Sequence, residues 1–433
     1  MWSSEEILTQ NAKRYIIEHR QNEEVCLLEA KRLKEKIESY RDEMVKTLME
    51  FVSINSVNPA FGGPGELKKA EWLESKLKDM GFEFERYDAE DERAEGGVRP
   101  NLVVKTPGKD SSRTLWFVSH TDVVPEGDRA LWKKDPFEPY IENGRIYGRG
   151  SEDNGGSLVA SLFALKALVD LGIEPQMNTG LVFVADEEAG SERGIRFLIN
   201  KNIFKEKDLF VVPDAGVPDG SFVEIAEKSI LWLRFTVSGK QVHASTPNLG
   251  LNASRVAMNF LSELDRLLHE VFPMKDESFS PPESTFEPTK RLSNVDNVNT
   301  VPGSDISFFD CRVLPQVKLD DVLEVARSLA AIHSRKTGAE IKVDVVQRHD
   351  APEPTPKDSE AVTRLSKAIE SCRGVKPVIG GIGGGTCAAH FREKGWHAVV
   401  WSTIEGTAHQ PNENKRIEDL IADALVFAFM MAE

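Results

Sequence analysis

The stretch Leu115-Trp-Phe-Val-Ser-His-Thr-Asp122 joins an apolar run directly to an imidazole and a carboxylate. The run Leu115–Ser119 predicts a buried β-strand, because short continuous apolar runs are typical of strands covered on both faces. His120 and Asp122 follow at the end of this predicted strand. In open α/β sheets, ligands bind at the carboxyl ends of the strands. The stretch therefore predicts a sheet with ligand-type side chains at one edge.

Strands and helices alternate along the chain from this stretch onwards. An Ala- and Leu-rich helix is predicted over Ser157–Leu171, and buried strands over Leu181–Ala185 and Leu209–Val212. The same alternation resumes from Ala361 to the C-terminus. Apolar strands separated by helices are typical of a parallel sheet with helices on both faces. The predicted fold class is therefore α/β, with a mainly parallel sheet.

The pattern changes near Glu227, where a segment of β-α-β-α-β order begins. This order predicts a small two-layer α+β domain, and the Pro-rich stretch Ala351–Pro356 that follows it reads as a linker. We therefore predict a larger domain formed by residues 1–226 and 349–433. The α+β segment, residues 227–348, is predicted to be inserted into it.

Residues 1–45 are predicted to form a helical N-terminal extension. Apolar residues recur at steps of three and four from Leu33 to Phe51, a spacing typical of an amphipathic helix. A helix that binds a partner or a membrane surface would show the same stripe. The mixed Lys and Glu face favours packing against the protein's own body.

The composition limits the class of protein. The 433 residues include 54 Lys and Arg against 70 Asp and Glu, which gives a net charge of −16. This charge argues against nucleic acid or an anionic membrane as a main partner. We identify no apolar run near the roughly 18 residues that a membrane helix needs. The four cysteines are scattered, as in a reducing cytosol, so we expect a soluble, cytoplasmic protein.

Further ligand-type side chains follow other predicted strands or begin helices. Glu187, Glu188 and Asp214 each come just after a strand, Asp153 lies in a glycine-rich turn before a helix, and His409 follows a late strand. Each group alone is more typical of a helix cap, a turn or the solvated start of a helix than of a metal ligand. Their repetition at one predicted edge favours a metal site, and imidazole with carboxylate suits zinc or a similar divalent ion.

The order of these groups along the chain and their amino-acid sequences resemble a known family. It is the dinuclear zinc amidohydrolase and peptidase family of acetylornithine deacetylase, succinyl-diaminopimelate desuccinylase, aminoacylase and glutamate carboxypeptidase. The resemblance runs from about Leu48 to the C-terminus. The motifs are specific in combination: Ser-His-Thr-Asp-Val-Val-Pro at 119–125, Gly-Arg-Gly-x-x-Asp at 148–153, Asp-Glu-Glu-x-Gly at 186–190 and His-x-Pro-Asn-Glu at 409–413.

The resemblance implies two divalent metal ions per chain, with zinc as the first choice and cobalt or manganese as alternatives. It assigns His120 and Asp214 to one ion and Glu188 and His409 to the other. Asp153 would bridge the pair. Two divalent ions against three ligand carboxylates leave one net positive charge, which suits a bridging hydroxide as the nucleophile.

The resemblance also gives roles to residues beside the ligands. Asp122 would orient His120, and Glu187 would act as the general base that takes the water proton. The peptide bond from Asp153 to Asn154 would be cis, which is unusual before a residue other than proline.

The inserted segment resembles the family's lid, which usually also forms a dimer interface. By this resemblance His243 helps to polarise the scissile carbonyl, and relatives with its motif deliver it across the dimer. Asn299 and Arg312 would bind the polar end of the substrate. For Arg312, a salt bridge inside the lid is an equally open interpretation.

The loop from Ile379 to Thr386 resembles the family's Gly-Gly-Thr segment, which lies near the carboxylate of the substrate. This resemblance implies substrate contacts for Gly384, Gly385 and Thr386. Cys387 stands where relatives usually have Asp, and we expect it to be a small packed residue.

The resemblance implies a hydrolase that cleaves an amide bond in an N-acyl amino acid or small peptide, of the desuccinylase or deacetylase type, and acts as a homodimer. A dipeptidase or carboxypeptidase of the same family is the alternative. A non-catalytic metal-binding relative is a further class, against which the presence of Glu187 argues. A dinucleotide-binding module is the remaining alternative. Gly383-x-Gly385-x-x-Ala388 fits a loose form of the dinucleotide-binding fingerprint, although the helix that follows is very short.

Overall fold

Strands and helices alternate along residues 30–433, the part of the chain that the structure, a computed structural model, describes. The strands are β1 (Phe84–Glu90), β2 (Val98–Thr106), β3 (Asp110–His120), β4 (Tyr140–Glu142), β5 (Arg145–Tyr147), β6 (Met177–Val184), β7 (Leu209–Gly216), β8 (Phe222–Glu227), β9 (Ser229–Ser238), β10 (Val242–His243), β11 (Thr285–Arg291), β12 (Thr300–Val301), β13 (Ser304–Val313), β14 (Glu340–His349), β15 (Val378–Ile382), β16 (Ala398–Ser402) and β17 (Asn414–Arg416). The helices that follow the residues 30–39 are α1 (Arg41–Val52), α2 (Leu67–Asp79), α3 (Ser157–Leu171), α4 (Ile195–Ile199), α5 (Ala253–Val271), α6 (Leu319–Thr337), α7 (Glu360–Arg373), α8 (Ala388–Arg392) and α9 (Ile417–Ala432).

The chain divides into two compact units. The first unit comprises Met1–Val223, of which residues 30–223 are described, together with Pro356–Val378 and Trp396–Glu433. The second unit comprises Glu224–Thr355 and Ile379–Gly395.

The second unit includes the glycine-rich loop, which we predicted to lie in the larger domain. Contacts with the inserted segment explain this difference. The backbone N–H of Gly381 donates to the carbonyl of Ser278 at 2.6 Å, and the N–H of Thr386 donates to Glu227 at 3.0 Å.

In the first unit, the strands follow one another across the sheet in the order β1-β2-β6-β3-β7-β16. β3 pairs in parallel with β6 and β7, and β7 pairs in parallel with β16, whereas β1 and β2 form an antiparallel edge. The mainly parallel sheet confirms the predicted α/β fold class. The antiparallel edge was missed because most of β1 is exposed or half-buried and shows no apolar run.

Helix α3 forms much of the core beside this sheet. Its residues are buried on nearly all sides, and it packs against α9. By length and composition the segment Ser151–Leu171 could cross a membrane, but 78% of its apolar window is buried inside the fold. That burial is typical of a core helix. Gly172 ends the helix with φ +65°, a left-handed conformation that glycine adopts without steric cost.

The N-terminal helical residues pack on the first unit. Residues 30–39 are helical, and α1 follows a break at Tyr40. Leu33, Ile37 and Met44 of the predicted apolar stripe are fully buried, which confirms packing against the protein's own body. The remainder of the predicted extension, residues 1–29, lies outside the described residues.

The second unit contains a four-stranded antiparallel sheet of order β11-β13-β9-β14. Leu231, Leu233 and Phe235 of β9 form one buried cluster with Phe260 and Leu264 of α5, to which α6 also contributes. A sheet layer and a helix layer confirm the predicted α+β architecture. The short strands β10 and β12 form a separate antiparallel pair.

Candidate metal centre

The predicted ligand residues of the first unit lie at the carboxyl ends of neighbouring strands. His120 is the last residue of β3, Glu187 and Glu188 follow β6, and Asp214 lies near the end of β7. Because β3 pairs in parallel with both β6 and β7, the ends of these strands meet at one edge of the sheet. The topology therefore collects side chains that are far apart in the sequence.

Asp153 lies between two imidazoles. Its Oδ1 is 2.8 Å from His120 Nε2, and its Oδ2 is 3.1 Å from His409 Nε2. His120 Nε2 is also 3.4 Å from Asp214 Oδ1, and His409 Nε2 is 3.2 Å from Glu188 Oε2. The two oxygens of Asp153 thus face two separate groups of side chains.

The peptide bond between Asp153 and Asn154 is cis, as the resemblance implied. The Nδ2 group of Asn154 donates to the carbonyl of Pro213 at 2.8 Å and to Asp214 Oδ1 at 2.6 Å. The residue after Asp153 therefore orients the carboxylate of Asp214.

Asp122 contacts three of the predicted site residues. The Nδ1 of His120 is 3.0 Å from the carbonyl oxygen of Asp122 and 3.6 Å from its Oδ1, so the carbonyl is the nearer partner. The carboxylate of Asp122 accepts hydrogen bonds from Asn58 Nδ2 at 2.7 Å and from the backbone N–H groups of Glu187 and Glu188 at 3.1 and 3.2 Å. Asp122 thus orients His120 through its backbone and both glutamates through its side chain.

The crowding of carboxylates raises the proton affinity of the centre. Burial alone lowers the pKa of His120, but Asp214 and further carboxylates raise it well above its usual range. Hydrogen bonds to Asp153 and Glu188 raise the pKa of His409 to about 10. Burial, followed by the charge of Asp153, raises the pKa of Glu188 to about 7. Such a site favours added positive charge, which divalent cations supply.

The donor set fits divalent cations. Ligand atoms of His120, Glu187 and Asp214 lie within 4.8 Å of one another, as do those of His120, Asp153 and Glu188. Glu188 Oε1 is buried, and within residues 30–433 no hydrogen-bond donor reaches it. A buried carboxylate oxygen is costly unless it is paired or binds a metal. The centre thus combines oxygen and nitrogen ligands with a buried acceptor that has no hydrogen-bond donor in the described part of the chain.

Glu187 lies close enough to join the ligand set. Burial and then the charge of Asp214 raise its pKa well above the usual range of a glutamate. A carboxylate with raised pKa beside a metal centre is suited to accept a proton from water.

Sequence reasoning missed three residues that hold the centre. Asn58 donates to Asp122, and no signal in its own sequence context marks it. Glu152 and Glu413 lie inside two of the quoted motifs and are almost fully buried. A carboxylate in a tight loop beside a ligand is the signal that could have identified them.

In the second unit, the pairing of β10 with β12 brings together His243, a predicted catalytic residue, and Asn299, a predicted substrate-binding residue. His243 pairs with Thr300, and the N–H of Ala244 donates to the carbonyl of Asn299 at 2.8 Å. The side chains of His243 and Asn299 are exposed. The backbone N–H of Ser245 donates to His243 Nδ1 at 3.2 Å.

Arg312 makes the salt bridge that was one of its two interpretations. Its guanidinium donates to both oxygens of Asp310 at 2.7 and 3.0 Å, and to the carbonyl of Gly383 at 3.1 Å. Arg312 therefore links β13 to the glycine-rich loop within the second unit.

The glycine-rich loop runs from β15 into α8. Gly384 is half-buried, Gly385 is exposed and Thr386 is buried. The N–H and hydroxyl of Thr386 donate to Glu227 Oε1 at 3.0 and 2.8 Å, so they face a carboxylate. Cys387 is buried, which confirms it as a packed residue. Helix α8 has 5 residues, which is short for the helix that opens a dinucleotide-binding motif.

The sheet, the inserted unit and the cluster at the sheet edge define a metal-dependent hydrolase. The chain belongs to Peptidase family M20/M25/M40, whose family model matches residues 116–433. It is thus a hydrolase that binds divalent metal ions and acts on amide or peptide bonds.

Relatives cover nearly the whole chain. An uncharacterised metallohydrolase of Methanocaldococcus jannaschii is 44% identical over 404 residues, which cover 89% of this chain and 98% of that protein. A succinyl-diaminopimelate desuccinylase of Alkalilimnicola ehrlichii is 26% identical over 383 residues, covering 87% and 95%. The crystal structure of human carnosine dipeptidase 1 shares the fold, with a TM-score of 0.71 at 18% identity over 93% of this chain and 99% of that one.

Proposed function

We propose that this protein cleaves the amide bond of N-acyl amino acids, as a desuccinylase or deacetylase, with two divalent ions per chain. Zinc is the proposed native metal, and cobalt or manganese would substitute for it. The proposed working unit is a cytoplasmic homodimer.

The position of Asp153 carries the proposal. Its two carboxylate oxygens face His120 and His409 separately, at 2.8 and 3.1 Å. Each imidazole has a further carboxylate beside it, Asp214 for His120 and Glu188 for His409. This arrangement supports two adjacent ligand sets that share one carboxylate, the pattern of a two-metal site.

The proposed ligands are His120 and Asp214 for one ion and Glu188 and His409 for the other, with Asp153 shared. When bound, such ions lower the pKa of a water molecule towards about 7 and polarise a carbonyl oxygen. The protein's part is to fix the ligands, which it does through hydrogen bonds to their side chains and loops.

Glu187 is the proposed general base. Its backbone N–H donates to the buried carboxylate of Asp122, which orients the residue towards the cluster of ligands. Its carboxylate would accept a proton from the attacking water and pass it to the leaving nitrogen. Its closeness to His120 and Asp214 supports this role.

His243 is the proposed donor to the scissile carbonyl. The backbone N–H of Ser245 is a donor, so Nδ1 of His243 accepts that hydrogen bond. In the neutral imidazole the proton is then on Nε2. This tautomer presents an N–H to a carbonyl oxygen, as stabilisation of the developing oxyanion requires. We propose that His243 acts in the partner subunit's site, with Asn299 beside it as a substrate contact.

The substrate class is proposed from the relatives and the loop. The desuccinylase that is 26% identical covers 87% of this chain, which supports an acylated amino acid. Arg312, Gly384, Gly385 and Thr386 are the proposed residues for its polar end. The donors of Thr386 already bind Glu227, so its proposed part is to hold the loop, and Arg312 with the two glycines would contact the substrate. These contacts would also serve the polar end of a dipeptide, so peptides form the second arm of the test.

A substrate screen tests the proposal. N-succinyl and N-acetyl amino acids and dipeptides would each be incubated with the protein after metal removal and after addition of zinc, cobalt or manganese. We expect metal-dependent release of a free amino group from the acylated compounds, and loss of that release in Glu187→Gln. Metal-dependent hydrolysis of dipeptides alone would contradict the deacylase assignment.

A further inference from the structure

Two loops of the first unit hold each other through a pair of buried glutamates. One loop, Gly148–Asp153, carries the proposed shared ligand, and the other, Glu405–Glu413, carries His409. Glu152 of the first loop binds the backbone of the second, and Glu413 of the second binds the backbone of the first. We call this arrangement of Glu152 and Glu413 the reciprocal glutamate pair.

Glu152 binds the residues just before His409. Its Oε1 accepts the N–H of Glu405 at 2.7 Å, and its Oε2 accepts the N–H groups of Thr407 and Ala408 at 2.5 and 2.8 Å. The hydroxyl of Thr407 adds a fourth hydrogen bond at 2.8 Å. One side chain thus satisfies three backbone donors in the four residues before His409.

Glu413 binds the residues up to and including Asp153. Its Oε1 accepts the N–H groups of Gly150, Glu152 and Asp153 at 3.1, 2.9 and 3.0 Å. Arg149 Nη1 donates to its Oε2 at 2.6 Å. The side chain of Glu413 is fully buried, so water does not compete for these contacts.

We propose that the reciprocal glutamate pair consists of positioning residues that fix Asp153 and His409 relative to each other. Glu152 would then set the affinity of the second ion, the one assigned to Glu188 and His409, and Glu413 would set the affinity of both ions. This inference rests on the proposed function, since it takes both residues as ligands. His409 needs such support because its side chain is 55% exposed and its backbone has φ +62°. Packing therefore holds its imidazole only in part.

The loss of each glutamate is expected to affect metal binding differently. Loss of Glu152 frees the loop of His409, which belongs to one ion. Loss of Glu413 frees Asp153, which both ions share. Removal of hydrogen bonds that orient metal ligands usually weakens metal binding about 10–100-fold.

The test measures metal binding by the full chain rather than turnover. Wild-type protein, Glu152→Gln and Glu413→Gln would be equilibrated with defined free Zn²⁺ or Co²⁺, and metal per chain and the Co²⁺ absorption spectrum would be recorded. We expect Glu152→Gln to bind one ion normally and the other at least tenfold more weakly. Glu413→Gln should weaken the binding of both ions.

Two further variants separate positioning from charge and from general stability. Thr407→Val removes the hydroxyl that donates to Glu152 at 2.8 Å and also contacts the backbone of Asn414 at 3.1 Å. The charge and the shape of the side chain stay the same, and we expect the second ion to bind about fivefold more weakly. Asp208→Asn is the matched control, because Asp208 is a buried carboxylate that accepts the N–H groups of Thr114 and Lys205 at 2.8 and 2.9 Å, at the other end of the strands. This control should bind both ions as wild type does.

The outcomes are distinct. Failure of wild-type protein to bind two ions would overturn the proposed function itself. Two ions in wild type, with unchanged affinity in Glu152→Gln and Thr407→Val, would overturn the positioning role. Weakening in Glu152→Gln but not in Thr407→Val would show an effect of charge and would also overturn it. If Glu152→Gln does not fold, Thr407→Val decides the matter alone.

Discussion

The metal edge of the first unit and the β10–β12 pair of the second unit hold their candidate residues in opposite ways. At the metal edge, His120 and Asp122 are buried, and distant parts of the chain contact them: Asp153 contacts the imidazole, and Asn58 donates to the carboxylate. At the β10–β12 pair, His243 is exposed, and its side-chain partner lies two residues away in the sequence.

This difference follows from what each set has to bind. A metal ion requires several ligands at fixed distances, so each ligand needs support from a second layer of hydrogen bonds. A donor to a substrate carbonyl has to align with one atom that arrives with the substrate. We therefore expect substitutions at the metal edge to change metal content, and substitutions at the β10–β12 pair to change turnover with metals retained.

The largest effect is expected at Asp153, which tests the metal edge most directly. Asp153→Ala removes the carboxylate that faces both His120 and His409, so both ions and all measurable turnover should be lost. Metal analysis of the purified variant checks this. Full occupancy would remove Asp153 from the shared position.

The next effect separates chemistry from metal binding within the same edge. Glu187→Gln keeps the size of the side chain but cannot take a proton from water, so turnover should fall about a hundredfold to ten-thousandfold. Both metals should remain bound. Glu192→Gln, an exposed glutamate nearby in the chain, is the matched control and should keep wild-type turnover. Near-normal turnover of a metal-replete Glu187→Gln would assign the base elsewhere.

The third effect lies at the β10–β12 pair. His243→Ala removes the proposed donor to the carbonyl and should lower turnover by about a hundredfold, with two ions still present. His269→Ala is the control, because His269 is an exposed histidine on α5. Loss of metal from His243→Ala would contradict the expectation that substitutions at the β10–β12 pair leave metal content unchanged.

Subunit mixing sharpens this third prediction. Inactive Glu187→Ala chains and inactive His243→Ala chains would be combined under conditions that let dimers exchange. If His243 acts in the partner's site, each mixed dimer has one intact site, and activity returns. No recovery after demonstrated exchange would contradict action across the dimer.

The same contrast explains how far the sequence could predict the site. His120, Glu188 and Asp214 were predictable because apolar strands lead directly to them, and parallel strands end at one edge. Asp153 and His409 lie on loops; their positions marked them as candidates, but their separate roles came only from the family motifs. Ligand chemistry and strand ends are local signals, so a single sequence displays them.

The supporting residues are not local in this sense. Asn58 reaches Asp122 from 64 positions away, and Glu152 with Glu413 connect loops 261 positions apart. The glycine-rich loop shows the same limit, because Thr386 binds Glu227 over 159 positions. Such pairs depend on the completed topology, which no periodicity or motif spacing encodes.

The smallest expected effect is a change in the free energy of unfolding with pH, and it depends on how each unit accommodates buried carboxylates. The metal edge is suited to cations, whereas in the second unit Glu227 shares Arg392 with Glu224. Arg392 Nη1 is 2.7 Å from Glu224 Oε1 but 3.7 Å from Glu227 Oε1. Burial, followed by the charge of Glu224, raises the pKa of Glu227 to about 8. Within the described residues, no donor reaches Glu227 Oε2, which suits a protonated carboxyl.

The sign of the pH dependence follows from this raised pKa. In the unfolded chain a glutamate has a pKa of about 4.3, whereas the pKa of Glu227 in the folded protein is raised to about 8. Between these two pH values the folded protein therefore binds more protons at Glu227 than the unfolded chain does. The free energy of unfolding should therefore fall as pH rises through this window.

Glu227→Gln keeps a side-chain oxygen that can accept the hydrogen bonds of Thr386, and it carries no charge. Urea unfolding at pH 5, 6.5 and 8 should show a flatter profile for the variant, with a relative gain at pH 8 of about 1 kcal/mol or more. Glu287→Gln, on the exposed face of β11, should follow the wild-type profile. Parallel profiles for Glu227→Gln and wild type would mean that Glu227 stays ionised in the fold, and that Arg392 neutralises both glutamates.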